Sequence, residues 1–276
     1  MKSAELFCVQ DYGVVVTGGA SGIGLGYVEA LAANGARVTL LDRDPKRVDE
    51  ETQRLRTAGL NVSGQVIDVT DHASLDAAIA TAARTYGRLD VVFANAGIDS
   101  GAGFVGGWSG DQRPRVPEGA LENYSDQRWN QVIEINLNGA FATVRAAASH
   151  MKPQSSGRII LTTSLASTRV EPAIGAAYMA AKAGAAHFMR CAALELAAFN
   201  ITVNAIAPGL FVTNIGGGHA HDPQVQKAFA RMIPMHRVGF PPDMYGLALF
   251  LASPASAYVT GQEIVIDGGF GLGPAD

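Results

Sequence analysis

The stretch Gly13-Val14-Val15-Val16-Thr17-Gly18-Gly19-Ala20-Ser21-Gly22-Ile23-Gly24 decides the fold. Its first five residues, rich in β-branched valine, read as a buried strand. A glycine turn follows at once and opens helical periodicity over 22–34. Glycines at 18, 22 and 24 permit a tight turn and a close approach of backbone to an anion, which the free N–H groups of a helix start then face. Tight strand-to-helix turns use glycine for steric reasons alone, and the spacing here is GxxxGxG rather than GxGxxG. Its place after the first strand gives the motif weight as a pyrophosphate cradle built from Gly18, Ser21, Gly22, Ile23 and Gly24.

Outward from this stretch the same alternation continues. Apolar runs at 36–41, 61–67, 89–94, 158–163, 202–207 and 263–266 read as strands, and 45–57, 73–86, 126–151, 176–199 and 243–251 as helices. Continuously apolar strands between amphipathic helices describe a parallel sheet covered on both faces. The expected fold class is α/β: a single doubly wound (Rossmann) domain over 1–276, with about seven strands, no linker, and helices on both faces. Two segments break the pattern. Residues 99–124 hold six glycines plus Pro114 and Pro117, and 209–240 carry Gly216, Gly217 and Gly218 before a short helical run at 225–232. Both follow strands, so both should emerge at the carboxyl edge of the sheet, where such folds bind ligands.

A net charge of −4 without a basic stripe argues against a nucleic-acid partner. A chain of 276 residues with 48% hydrophobic content buries enough apolar surface to fold without disulfides. Cys8 and Cys191 lack ligand-like neighbours and read as reduced, partly buried thiols. His150, His187, His219, His221 and His236 lack ligand spacing, so no metal is expected. No window has the length of a membrane span and residues 1–10 lack a leader pattern, which makes a soluble cytoplasmic protein the default expectation.

Asp42 ends the second strand, 18 residues beyond Gly24. A carboxylate there accepts from both ribose hydroxyls of an adenosine and repels a 2′-phosphate, favouring NAD over NADP. Asp42 could instead cap the following helix, although Asp44, just before Pro45, suits that role better. Arg43 stands beside the same ribose position and could take a 2′-phosphate, so NADP stays open. Tyr178 and Lys182 lie four residues apart on one helix face, where an ammonium favours the phenolate and suits the phenol to acid/base work. Alone, the pair equally describes a partly buried tyrosine beside a solvated lysine.

Asn95-Ala96-Gly97 after the fourth strand, Ser164 after the fifth, the Tyr178/Lys182 pair, and Pro208-Gly209 followed by Thr213 appear in that order behind the glycine turn. In this combination the chain resembles the short-chain dehydrogenase/reductase family from about Gly13 to Gly269. The resemblance implies a hydride moving between a nicotinamide and a carbinol or carbonyl carbon while Tyr178 moves the proton at oxygen. It implies that Lys182 lowers the Tyr178 pKa and binds the nicotinamide ribose, that Ser164 stabilises the substrate oxygen, and that Asn136 supports a proton relay. Asn138 competes with Asn136. Ser167 competes with Ser164, which precedes Tyr178 by 14 positions where many members have 13. For the cofactor it implies Asp68 and Val69 at the adenine, Asn95, Ala96 and Gly97 along the ribose and middle, and Pro208, Gly209, Phe211 and Thr213 toward the carboxamide. Thr213 could instead only cap the next segment.

The 99–124 insertion, with Phe104, Trp108, Arg113 and Arg115, is either an extended substrate lid or a surface or subunit-contact loop. Phe211, Ile215, Phe229, Met232 and Ile233 suggest a mainly apolar pocket under a mobile 210–235 lid, or a lid packed on itself. The substrate is expected to be a small alcohol or ketone, a cyclic or aromatic secondary alcohol or else a polyol. The resemblance implies a homotetramer built on helices 126–151 and 176–199. The competing classes are a non-catalytic NAD-sensing regulator, an NADP-dependent carbonyl reductase, and a lyase or epimerase that keeps its NAD.

Overall fold

The computed structural model describes residues 2–106 and 113–273, with the side chain of His219 outside the description; Trp108 lies outside the described residues. Every residue of β1 (Gly13–Thr17) is buried, as its valines require. It is the third strand of a seven-stranded parallel sheet ordered β3-β2-β1-β4-β5-β6-β7, with β2 Arg37–Asp42, β3 Val62–Val66, β4 Val91–Ala94, β5 Gly157–Thr162, β6 Ile201–Pro208 and β7 Glu263–Ile266. The chain builds outward from β1 to β3, then returns to lay β4 on the other side of β1. The carboxyl ends of β1 and β4 therefore open a crevice at the point where the winding reverses.

The helices are α1 (Ser3–Leu6), α2 (Gly22–Ala33), α3 (Pro45–Thr57), α4 (His72–Tyr86), α5 (Asp126–Ile133), α6 (Gly139–Gln154), α7 (Ala176–Leu196), α8 (Pro223–Ala230) and α9 (Tyr245–Ala252). Successive strand residues point to opposite faces, so Val14 and Val16 pack with Leu31 of α2 and Leu251 of α9, whereas Val15 packs with Ile79 of α4 and Met189 of α7. Asp44 caps α3 by accepting from the Lys46 and Arg47 amides at 3.1 and 3.2 Å, as its place before Pro45 suggests.

Several expectations need correction. The helix expected over 126–151 is not continuous: α5 passes through a π-helical turn, Glu134–Asn138, into α6. At the junction Gly139 lies so close to Val69 that a Cβ there would stand 2.8 Å from its Cγ2. Helix 176–199 ends at Leu196 and continues as a 3-10 turn, Ala197–Phe199. Among its described residues the 99–124 insertion has the 3-10 turns Pro117–Gly119 and Leu121–Asn123, an internal bridge between Val105 and Arg115, and a bridge from Ala102 to Ile174. Ile215–His221 is a further 3-10 segment. Cys8 and Cys191 are exposed, not partly buried, because α1 lies on the surface and Cys191 sits on the solvent side of α7.

Phe93 of β4 is fully buried and stacks on Tyr27 of α2 with centroids 4.5 Å apart. Phe93→Ala should cost about 3–5 kcal/mol in urea unfolding with an unchanged slope, since it leaves a cavity directly beneath the crevice.

Candidate active site

The crevice floor is a hydrogen-bonded knot. Thr17 Oγ1 accepts from the amides of Asn95 and Ala96 at 3.0 and 3.2 Å and donates to the Phe93 carbonyl at 3.2 Å. Asn95 Nδ2 donates to the carbonyls of Thr17 and Gly18 at 3.0 and 3.2 Å, and its Oδ1 accepts from Thr162 Oγ1 at 3.0 Å. The Asn95 side-chain amide ties the ends of β1, β4 and β5 together. Gly24 follows from this knot, because a Cβ there would lie 2.1 Å from the Gly18 oxygen and 2.4 Å from Asn95 Nδ2. Gly18 and Gly22 take φ of 64° and 54°, the left-handed region that favours glycine.

The start of α2, like that of α7, carries no side-chain cap. Asp44, Asp71, Ser125 and Asp222 each cap their helices with a side-chain bond, but Ser21, the N-cap of α2, makes none. The first N–H groups of α2 therefore face the crevice with their partial positive charge uncapped, and the residues present fit a dinucleotide pyrophosphate. Asp42 accepts from the Ala20 and Asp44 amides, both at 3.2 Å, which binds the end of β2 to the glycine turn. Arg43 is exposed and makes no hydrogen bond or ion pair among the described residues. Asp68 is exposed and its Oδ1 accepts from the amide and hydroxyl of Thr70 at 2.9 and 2.8 Å, while Val69 is buried against Gly139.

On the opposite wall, a Cβ on Gly22 would lie 3.4 Å from Thr213 Cβ, so the glycine turn and the 209–240 segment touch. Thr213 Oγ1 also accepts from the Ile215 amide at 3.4 Å, which is the capping alternative. Gly209 is packed on Asp267, just beyond β7, where a Cβ would stand 2.5 Å from the Asp267 Cβ, and the tip of the Phe211 ring packs on Gly239. Between α2 and residues 212–221 lies a cavity of about 320 Å³ lined by Gly22, Glu29, Thr213, Asn214, His221 and Pro241. Glu29 in this wall accepts from the Tyr245 hydroxyl at 2.5 Å, and nothing in its spacing singles it out in sequence.

Ser164, Tyr178, Lys182 and Asn136 converge beside the knot. Ser164 caps the 3-10 turn Leu165–Ser167 by accepting from the Ala166 amide at 3.2 Å, and its hydroxyl is close enough to Tyr178 to favour the phenolate. Ser167 instead donates to Glu263 Oε1 at 2.7 Å. Asn136 is buried and grips Ile98, accepting from its amide at 2.8 Å and donating to its carbonyl at 2.9 Å. Asn138 only donates to Glu134 Oε2 on its own helix, at 2.5 Å. Gly97 lies against both groups, since a Cβ there would stand 2.8 Å from Asn136 Oδ1 and 3.6 Å from Lys182 Nζ.

The electrostatics revise one expectation. Lys182 was expected to draw the Tyr178 pKa down, but the phenol is pushed up from 10, by burial first and by the Asp99 carboxylate, against a lowering bond from Ser164. The Lys182 ammonium lies 5.6 Å from the Tyr178 ring centroid and spends a hydrogen bond on the Thr162 carbonyl at 2.7 Å. Its own burial lowers its pKa from 10.5 to about 8. Thr162 thus serves the site twice, through its hydroxyl to Asn95 and its carbonyl to Lys182; in sequence it reads only as the end of a strand. Among the described residues no group of three His, Cys, Asp or Glu could hold a metal, and no helix is long and apolar enough to cross a membrane.

Comparison with known proteins agrees with this geometry. A family model described as enoyl-(acyl carrier protein) reductase matches residues 18–271. The chain belongs to the short-chain dehydrogenase/reductase family. It is 35% identical over 272 residues to galactitol 2-dehydrogenase (L-tagatose-forming) of Cereibacter sphaeroides, covering 98% of this chain and 99% of that one. It is 36% identical over 256 residues to cis-4-hydroxycyclohexanecarboxylate dehydrogenase of Sinomonas cyclohexanicum, covering 93% and 95%. The solved gluconate 5-dehydrogenase of Burkholderia cenocepacia J2315, in complex with NADP and tartrate, superposes with a TM-score of 0.84 at 29% identity, covering 98% of each chain. The chain is accordingly an oxidoreductase of the kind that acts on secondary alcohols and ketones with a nicotinamide cofactor.

Because burial depresses Lys182, the unfolded state binds more protons between about pH 8 and 10.5, and this group's contribution to stability rises with pH across that window. Comparing urea stability of the wild type and Lys182→Met at pH 7.5 and 10.5 should show the wild type gaining up to about 3 kcal/mol relative to the variant.

Proposed function

We propose that the chain is an NAD(H)-dependent oxidoreductase interconverting a secondary alcohol and a ketone, with Tyr178 as the general acid/base. The observation that carries this reading is the convergence of Ser164, Tyr178 and Lys182 at the carboxyl edge, beside a helix start whose N–H groups no side chain caps. The nicotinamide, when bound, supplies or takes up the hydride. Gly18, Ser21, Gly22, Ile23 and Gly24 hold the pyrophosphate, Asp68 and Val69 the adenine, and Ala96 and Gly97 line the middle of the cofactor site. Asn95 acts from below, by fixing the turn. Pro208, Gly209 and Phe211 shape the nicotinamide end and Thr213 orients the carboxamide. Ser164 donates to the substrate oxygen and Lys182 holds the nicotinamide ribose. Asn136 fixes the backbone at Ile98, beside the proton path.

Asp42 sets the preference for NAD, since its carboxylate stands at the end of β2 tied to the glycine turn. The exposed Arg43 is the feature that favours the other reading, an NADP-dependent reductase, and the NADP named with the Burkholderia structure gives that reading support. The substrate class is a cyclic or polyhydroxylated secondary alcohol, the two kinds named for the relatives above. The subunits associate as a homotetramer through the α6 and α7 faces, where Phe141 and Leu194 are exposed at 44% and 84%.

Tyr178→Phe should abolish turnover of every active member of a panel of galactitol, cyclohexanols and their ketones while NAD binding, followed by fluorescence, survives; retained turnover overturns the reading. The wild type should have the higher kcat/KM with NAD, and Asp42→Ala should lower the NAD-to-NADP ratio by about tenfold, a loss of about 1.4 kcal/mol of discrimination. A wild type that prefers NADP overturns the role of Asp42. The raised Tyr178 pKa fixes the sign of the pH dependence. A neutral phenol serves as acid at pH 7, so ketone reduction should be near its plateau there, whereas alcohol oxidation, which needs the phenolate, should keep rising above pH 8.

A further inference from the structure

The chain that leaves β7, residues 267–272, lies between the Ser164 turn and the 209–240 segment. Asp267 sets its shape, with Oδ1 accepting from the Gly269 amide at 2.8 Å and Oδ2 from the Gly271 amide at 2.6 Å. Gly268 and Gly269 take φ of 65° and 90°, and the strap ends in the 3-10 turn Phe270–Leu272. One side of it carries the 209–240 lid. Gly209 N donates to the Ile266 carbonyl at 2.9 Å and Met235 N to the Gly268 carbonyl at 3.1 Å. A Cβ on Gly268 would stand 2.8 Å from Ile233 Cγ2, and one on Gly269 3.1 Å from Pro234 Cγ. The ends of the lid are tied to each other, Val212 N to the Gly239 carbonyl and Gly239 N to the Leu210 carbonyl, both at 2.9 Å. The other side of the strap meets the Ser164 turn, since a Cβ on Gly271 would stand 2.9 Å from Leu165 Cδ1. Phe270 is buried in one apolar cluster with Leu165 of that turn and with Val212, Ile233 and Val238 of the lid.

Arg169 joins the two sides. Its amide donates to the Leu165 carbonyl at 2.9 Å, in the turn that Ser164 opens. Its Nη1 donates to the Phe270 carbonyl, and the guanidinium lies over the Phe270 ring, 4.5 Å from the centroid. Nε meets Glu171 Oε1 at 2.9 Å, which fixes the planar group in that direction. The Ser164 turn is itself anchored on the sheet, because Ser167 donates at 2.7 Å to the buried Glu263 carboxylate of β7. We propose that Arg169 is a positioning residue for substrate binding: through the Phe270 strap it fixes the 209–240 lid relative to Ser164. The proposal rests on the reading in which Ser164 meets the substrate oxygen. Since β7 holds the turn, the lid is the part that loosens when the staple is lost. The Arg169 side chain is 36% exposed, so its ion pair with Glu171 counts for less than the carbonyl bond and the ring contact.

The test combines limited trypsin digestion of the full chain, with NAD present, and kinetics. Lys227 and Arg231 are exposed within the lid, and Lys46 and Arg54 are exposed on α3, outside it. Cleavage at such sites requires the backbone to open locally. Arg169→Gln should speed cleavage after Lys227 or Arg231 about tenfold and leave cleavage on α3 at the wild-type rate. It should also raise KM for the most active alcohol of the panel about fivefold, with kcat changed by less than about twofold. Arg169→Lys, which keeps a charge over the ring, should recover part of both effects. Lid cleavage at the wild-type rate, or an equal rise on α3, overturns the proposal, as does an unchanged KM beside faster lid cleavage. If Arg169→Gln does not fold, Phe270→Leu decides by the same two readouts, since it keeps apolar volume but removes the ring. A panel in which no alcohol or ketone is turned over would instead overturn the parent reading, while lid cleavage would still report whether Arg169 holds the lid.

Discussion

The carboxamide of Asn95 bonds to the Thr17 and Gly18 carbonyls on one side and the Thr162 hydroxyl on the other, closing the ends of three strands. A parallel sheet ends its strands with carbonyls that no neighbour satisfies, and each such group left unpaired in a buried place costs about 1–3 kcal/mol. Asn95 answers two of them, and the Lys182 ammonium answers a third at Thr162. The cofactor turn, the strand that delivers Ser164 and the helix that carries Lys182 are therefore referenced to one small polar cluster. Gly24 is glycine because that cluster leaves no room for a side chain.

The same cluster explains the unusual electrostatics above it. Lys182 is buried and lowered to about 8, and it is held by a neutral carbonyl rather than a carboxylate. A buried cation with no anion fixed beside it is costly in isolation.

Much of this was legible in the residues. The valine run, the glycine turn and the strand–helix alternation follow from side-chain patterns that local physics imposes, and the seven-stranded order agrees with them. Ser164 is preferred to Ser167, and Asn136 to Asn138, on position and family pattern alone; the partners that distinguish them in the fold, Glu263 for Ser167 and Ile98 for Asn136, lie far along the chain. The π turn escaped notice because no residue type marks it: Glu134–Asn138 reads as ordinary helix. The inward commitment of Asn95 and the double use of Thr162 could not be read from the sequence, since their partners lie on separate strands that only the fold brings together. The Tyr178 pKa was expected in the wrong direction because spacing reveals a neighbouring charge but not burial.

The π turn at Glu134–Asn138 also sets a phase. Each helical residue advances the side chains by about 100°, so one residue absorbed in a wider turn rotates all that follows by roughly that angle relative to an unbroken helix. With it, Val132 and Asn136 face the Ile98 segment while Ala142, Ala146 and Met151 still meet the sheet and α4. Chain length between Val132 and Ala142 is thereby quantised. A loop such as 99–124 can gain or lose residues and keep its ends in place, but here a single residue more or less would turn a buried alanine stripe toward solvent and point Asn136 away from the site it supports.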